Sequence, residues 1–291
     1  LAGAAARAVA SYLRRAVSHV ESVDFKADHH DPVTVHDKRV ESALHVLLGY
    51  FVPGSRVLGE ETGERTLPRK FDGPTEEFTE HFEFPTSPLV QGARRRCTSL
   101  AERVRWIVDP IDGTANFAAG MPYFNTSIAA ELDGAVVAGA INAPIMDHLF
   151  LADLTHAWLR TDEEDIDIHA QGPTSERDAV VLSYHPSLHS FIDDPAGSAE
   201  EYARLASTYQ AVRRPGAAAL DLAMVASGRA GAMLAGTMKP WDVAAGIHMV
   251  KVAGGNVVNA PMGTDLPDGV RPGVAAWVGS MEAPVLQELL H

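Results

Sequence analysis

The chain has one cysteine, Cys97, in 291 residues. A lone thiol excludes an internal disulfide framework and any zinc site built on paired thiolates, and it fits a reducing cytoplasm. Basic residues are scarce too: 24 Lys and Arg stand against 38 Asp and Glu, a formal net charge of -14. That balance argues against nucleic acid as a partner, because a polyphosphate needs a basic footprint. Long apolar runs are missing, so no membrane span is expected. None approaches the roughly 20 apolar residues that cross a bilayer, since Arg7, Arg14 and Arg15 break the Ala-rich start. The same start lacks the basic, apolar and small-residue order of a signal peptide, and reads as an amphipathic helix from about Ala4 to Val20. No P-loop pattern, internal repeat or low-complexity tract occurs. What is plentiful is apolar: 46% hydrophobic against 21% charged residues, enough for a substantial core in one large or two modest domains.

Periodicity predicts a second helix in which Val40, Leu44, Leu47 and Leu48 share a face, opened by Asp37 and closed by Gly49 and Pro53. A short strand, Arg56 to Leu58, then ends on Gly59-Glu60-Glu61. From Thr62 to about Ala101 no period is sustained, so this stretch reads as a variable excursion outside the core, with Arg94-Arg95-Arg96 in a solvated loop. Val104 to Val108 reads as a strand that halts at Asp109-Pro110. Ser127 to Leu132 and Ala135 to Ile141 form a hairpin over Asp133-Gly134, and Leu149 to Ala152 adds a strand. The second half alternates strands (179–183, 211–213, 232–234, near Val257 and Ala275) with helices (199–207, 217–227, 243–253), the order of parallel α/β packing. Residues 1–152 are expected to form an α+β domain and residues 153–291 an α/β domain.

Three groups of acids fall at element ends: Gly59-Glu60-Glu61, Asp109-Pro110-Ile111-Asp112-Gly113-Thr114 and Trp241-Asp242. Carboxylates three apart across a proline turn converge on oxygen-loving cations, and Mg²⁺ prefers one or two carboxylates plus substrate phosphate to a closed protein cage. Gly113 lets backbone approach closely, and its amide with that of Thr114 points at a phosphate if a helical turn starts there. Asp-Pro-x-Asp-Gly alone is also a plain tight turn. The other two acidic groups tip the balance, because sites are built at such ends. A phosphatase whose nucleophile is the first Asp of Asp-x-Asp-Gly-Thr is excluded, since Pro110 stands two residues before Asp112. His29-His30-Asp31 reads as a solvated connector rather than a metal cluster.

Together these segments resemble the inositol monophosphatase family, whose hallmarks are an acidic pair after Gly, Asp-Pro-Ile-Asp-Gly-Thr and a late Trp-Asp-x-Ala-Ala-Gly, here Trp241 to Gly246. Two further stretches match, Lys26 and Asp31 through Asp37 to Glu41, and Gly216 to Leu222 with Asp221 inside it. The resemblance implies a layered αβαβα sandwich of mixed α+β and α/β character, and Mg²⁺-dependent hydrolysis of a small phosphorylated metabolite by activated water. It also implies inhibition by Li⁺ and a homodimer. It places Glu60, Asp109 and the carbonyl of Ile111 at one Mg²⁺, Asp109, Asp112 and Asp242 at a second, and a third near Glu60. Asp37 and Thr114 take the role of orienting water, with Glu60 beside them as a catalytic residue. Asp112, Gly113, Thr114 and Ala218 face the substrate. Sugar-phosphate members place a hydroxyl-binding Glu six residues before the Trp, where this chain has Ala235, so a loose choice of ester is expected. The alternatives are fructose 1,6-bisphosphate, histidinol phosphate or a 3′-phosphonucleotide as substrate, or a catalytically idle protein that binds a ligand in the same cleft.

Overall fold

Strand Val104–Asp112 is apolar on both faces, and in the computed structural model both faces are covered. Trp106 and Val108 enter one core while Ile107 enters another. The same split recurs along the sheet, with Ile128 against Ala129, Ala140 against Ile141, and Leu149 and Leu151 against Phe150. Side chains alternate with period two, so a continuous apolar run belongs to a sheet buried on both sides. The structure describes residues 1–20, 24–25, 32–71, 73–259 and 273–290. Lys26, His29, His30 and Asp31 lie outside the described residues.

The first sheet has eight strands in the order Asp165–Asp167, Ala157–Arg160, His148–Ala152, Ala135–Ala143, Asn125–Leu132, Val104–Asp112, Arg56–Gly59 and Gly63–Thr66. Every pairing is antiparallel except that of Arg56–Gly59 with Val104–Asp112, which is parallel. Helices Ala2–Ala8 and Val35–Phe51 cover one face, and Ala218–Ala226 and Pro240–Val252 cover the other. Those two helices also pack on a second sheet of five strands, whose far side carries Pro195–Thr208 and Pro284–Leu290. The result is the helix, sheet, helix, sheet, helix layering implied by the resemblance.

Several elements differ from the sequence reading, each for a local reason. The second sheet is mixed rather than parallel, because Val274–Trp277 runs antiparallel to both neighbours. Two strands beyond Ala152, Ala157–Arg160 and Asp165–Asp167, continue the first sheet. The excursion from Thr62 to Ala101 is built into the fold. It holds an edge strand, Gly63–Thr66, and two short helices, Glu76–His81 and Pro88–Cys97, started by Thr75 and Ser87 hydroxyls that accept from Phe78 and Val90 amides. Leu67, Phe78 and Phe82 are buried in the core under the first helices. Arg94 belongs to the Pro88–Cys97 helix rather than to a loop. Its guanidinium lies 4.0 Å from the Tyr50 ring centroid, and its Nε donates to the Tyr50 carbonyl at 2.6 Å. Among the described residues no helix is long and apolar enough to cross a membrane.

Phe82 is 8% exposed and touches the rings of Tyr12 and Phe78. Phe82→Ala is expected to cost about 3 kcal/mol in chemical denaturation, the low end for an aromatic lost from a packed core. A cost near zero would show that this segment adds nothing to the core.

Candidate active site

The parallel pairing in the first sheet brings two acid-bearing ends together. Gly59 stands opposite Val108, and the Glu60 amide donates to the Val108 carbonyl at 3.2 Å, so Glu60 and Asp109 follow these paired positions side by side. The turn that carries Glu60 is held from below by Glu41, a fully buried carboxylate that accepts from the Glu61 amide at 2.8 Å and from the Thr62 hydroxyl. Gly59 makes this possible, because a Cβ there would stand 2.6 Å from the Glu41 carboxyl carbon. Sequence reading placed Glu41 in a matching pattern but saw no task for it, since its partners lie on a different element.

The strand does not stop at Asp109-Pro110. It runs to Asp112, with its pairing shifted between Asp109 and Asp112, the kind of irregularity that accommodates a proline without an N–H. Asp109 Oδ1 accepts from the Ile111 amide at 3.0 Å, and the Pro110 carbonyl accepts from Thr126 Oγ1 at 2.9 Å. Gly113 follows at φ 88, where a Cβ would meet the Gly216 carbonyl at 3.0 Å and the Tyr123 carbonyl at 3.1 Å. Only glycine suits both that angle and that gap. Thr114 begins a short helix, and its hydroxyl reaches the Ile111 carbonyl at 3.0 Å and Asp37 Oδ1 at 3.2 Å. Asp37 does not open its helix: Thr34 caps Val35–Phe51, and Asp37 Oδ2 accepts from both the Thr34 amide and hydroxyl at 2.7 Å.

The second sheet's half of the molecule completes the cleft. The Ala218 and Ala219 amides donate to Asp112 at 3.0 and 2.8 Å, and Asn125 Nδ2 adds a third donor at 2.6 Å. Asp242 sits in the first turn of Pro240–Val252, a helix that starts earlier than its apolar period suggested, and accepts from the Lys239 amide at 2.7 Å. A cleft of about 230 Å³ is lined by Glu60, Asp109, Asp112, Thr114, Asp242 and the Ile111 and Gly113 backbone, with Ala218, Tyr184 and Met238 opposite. A larger hollow of about 1050 Å³ lies by Trp241 and His248, but none of these acids lines it. Ala235 is fully buried in strand Ala232–Ala235, paired with Val274, and Met238, three residues on, lines the cleft.

The electrostatics are those of crowded anions. Burial, then the charges of Glu60, Asp112 and Asp242, push the Asp109 carboxyl well above the usual range. Burial raises Asp112 to about 6 against the pull of its Asn125, Ala219 and Ala218 donors, and raises the half-buried Asp242 to about 8. Among the described residues no three His, Cys, Asp or Glu side chains form a ready-made metal cage. The donor set of separate carboxylates and a carbonyl suits an oxygen-seeking cation that keeps water and substrate in its shell.

The sequence pattern of the inositol monophosphatase family matches residues 1–290. The chain belongs to that family. An inositol-1-monophosphatase of Mesorhizobium japonicum is 37% identical over 164 residues, 56% of this chain and 60% of that protein. An inositol-1-monophosphatase of Mycobacterium leprae is 31% identical over 250 residues, 84% of this chain and 76% of its own. In structure, the extragenic suppressor protein suhB of Bartonella henselae superposes with a TM-score of 0.69 at 28% identity, covering 94% of this chain and 90% of the other. This inositol monophosphatase family member is a phosphatase with its acids gathered where the two sheets' halves meet.

A carboxyl whose pKa is higher folded than unfolded favours the fold at low pH and loses that contribution as pH rises through the raised value. For Asp242 the window runs from its ordinary 3.8 to about 8. With a chelator present, Asp242→Asn is therefore expected to melt above the parent near pH 8, and the gap to close near pH 4. Paired thermal scans at the two pH values check the sign. A gap that widens on acidification would contradict it.

Proposed function

We propose that the protein hydrolyses a small phosphomonoester in this cleft with bound Mg²⁺. The observation that carries the reading is the Thr114 hydroxyl on Asp37, 3.2 Å apart at the edge of a pocket of four carboxylates. A buried carboxylate, 1% exposed, keeps the hydroxyl oriented, and the hydroxyl in turn presents an oxygen to a water on the cleft side. Asp37 is pushed up by burial and drawn back by its Thr34 donors, a hydroxyl and an amide that brace the pair from the helix start. Glu60, Asp109 and the Ile111 carbonyl would hold one ion, Asp109, Asp112 and Asp242 a second, with a third near Glu60. When bound, the ions neutralise phosphate charge and make a water acidic enough to attack near neutral pH. The Gly113-Thr114 backbone, open to the cleft because no side chain fits at Gly113, offers N–H donors to the phosphate. The formal charge of -14 makes local charge reversal a requirement for a dianionic substrate to enter.

Among the described residues the wall across from the acids carries little to recognise hydroxyls. Met238 offers a thioether, and the Tyr184 hydroxyl is spent on Asp221 and the Gly216 amide. Sites that reject analogues strongly do so by pairing buried polar groups with substrate hydroxyls. Myo-inositol 1-phosphate is thus one of several esters accepted, within a homodimer in the reducing cytoplasm, and Li⁺ is inhibitory.

Three outcomes test this reading by phosphate release. Turnover is lost in excess chelator and restored by Mg²⁺; full activity in chelator would end the metal reading. Thr114→Ala lowers kcat by about a hundredfold with KM little changed, in the range of a misplaced proton-handling pair. Across a panel of small esters, the kcat/KM preference for myo-inositol 1-phosphate stays under about a hundredfold, roughly 2.7 kcal/mol. A larger preference would show that residues other than Met238 and Tyr184 do the recognising.

A further inference from the structure

Asp221 is fully buried and takes one tyrosine from each half of the molecule. Tyr123 Oη donates to its Oδ1 at 2.5 Å, and Tyr184 Oη donates to its Oδ2 at 2.8 Å. Tyr123 precedes strand Asn125–Leu132 of the first sheet, whereas Tyr184 follows strand Val180–Ser183 of the second. The contacts close into a ring that meets the cleft at Tyr184 and Gly216. The Tyr184 hydroxyl accepts from the Gly216 amide at 3.0 Å, and Asn116 Nδ2 donates to the Tyr123 carbonyl at 2.7 Å and the Pro215 carbonyl at 2.8 Å. Pro215 and Gly216 lead straight into Ala218 and Ala219, the amides that hold Asp112.

Elsewhere in this core the space between the sheets is filled by apolar side chains such as Leu220, Leu222 and Met249. An ionisable group there is costly unless every lone pair is engaged, and a fully engaged network fixes one geometry where oily packing tolerates several. Burial lifts Asp221 to about 7 while the two hydroxyls pull it down, which shows both the cost and the compensation. The neighbouring tyrosines respond in the same sense, since Tyr123 and Tyr184 are both held firmly in the hydroxyl form by burial and by Asp221.

We infer that Asp221 is a positioning residue of the active site: by gripping Tyr123 and Tyr184 it sets the two sheets' halves against each other, and so the approach of the Ala218 and Ala219 amides to Asp112. It touches neither substrate nor the proposed ions. Its effect passes through the turn at Pro215 to Ala217, which is pressed against Gly113 on one side and tied to Tyr184 on the other.

The inference rests on the phosphatase reading, so wild-type phosphate release with Mg²⁺ is measured first. A wild type that releases none overturns that reading and this one with it. With an active wild type, four variants of the full chain are compared: Asp221→Asn, Tyr123→Phe with Tyr184→Phe in one protein, the same pair combined with Asp221→Asn, and Tyr184→Phe alone. Rates are normalised to the folded fraction seen by circular dichroism. Asp221→Asn and the double tyrosine variant are each expected to lower kcat about tenfold while KM for the ester moves less than about threefold, and the triple variant to lose less than about threefold more, because the three groups act as a unit. A part that only supports the fold would change the folded fraction and leave normalised kcat alone. If Asp221→Asn does not fold, the tyrosine variants, which lose one hydroxyl or two and keep every ring, decide the matter. Normalised kcat within about threefold of wild type in the double variant, or fully additive losses in the triple, would overturn the inference while leaving the phosphatase reading intact.

Discussion

Carboxylates stripped of water repel one another, and this fold nevertheless brings Glu60, Asp109, Asp112 and Asp242 to one cleft. Everything near them answers to that strain. Neutral amides hold three of them in place: Asp109 by Ile111, Asp112 by Ala218, Ala219 and Asn125, and Asp242 by Lys239. Neutral donors of this kind orient a carboxylate without cancelling its charge, so the cleft keeps its appetite for cations. A lysine or arginine in the same place would have relieved the repulsion and removed the reason for a metal to bind.

The division of labour between the two halves follows from the same constraint. The first sheet supplies three of the acids and the hydroxyl at Thr114: Glu60 just after a strand, Asp109 and Asp112 on either side of the pairing shift at the end of another, and Thr114 at the start of the helix that follows. The second half supplies Asp242 and the helix start that steadies Asp112. Neither half alone holds the full set, so the alignment between them is a chemical parameter, and the buried polar ring through Asn116 and Asp221 sits where that alignment is decided.

Much of this was legible in the sequence, and the gaps have physical causes. The acids could be read because each stands beside a residue that betrays its backbone: Gly59, Pro110, Gly113 and Pro240. The sheet strands could be read because apolar runs end at turn residues. Residues 62–101 could not, since helices of 6 and 10 residues are too short to display a period, and their burial depends on rings such as Tyr50 that lie elsewhere in the chain. The work of Glu41, Asn125 and Asp221 was equally hidden, because a lone carboxylate or amide carries no local mark of a distant partner.

The parallel pair Arg56–Gly59 and Val104–Asp112 has a consequence for how such a protein tolerates change. Ladder pairing, not the chain between them, sets the spacing of Glu60 and Asp109. A slip of one residue would carry Glu60 along by about 3.3 Å and turn it to the opposite face of the sheet. Length added between residues 66 and 104 does neither, since closing a longer loop costs only about 0.6 kcal/mol per doubling. The ladder thus acts as a gauge that length added at the exposed joins of this segment does not reset.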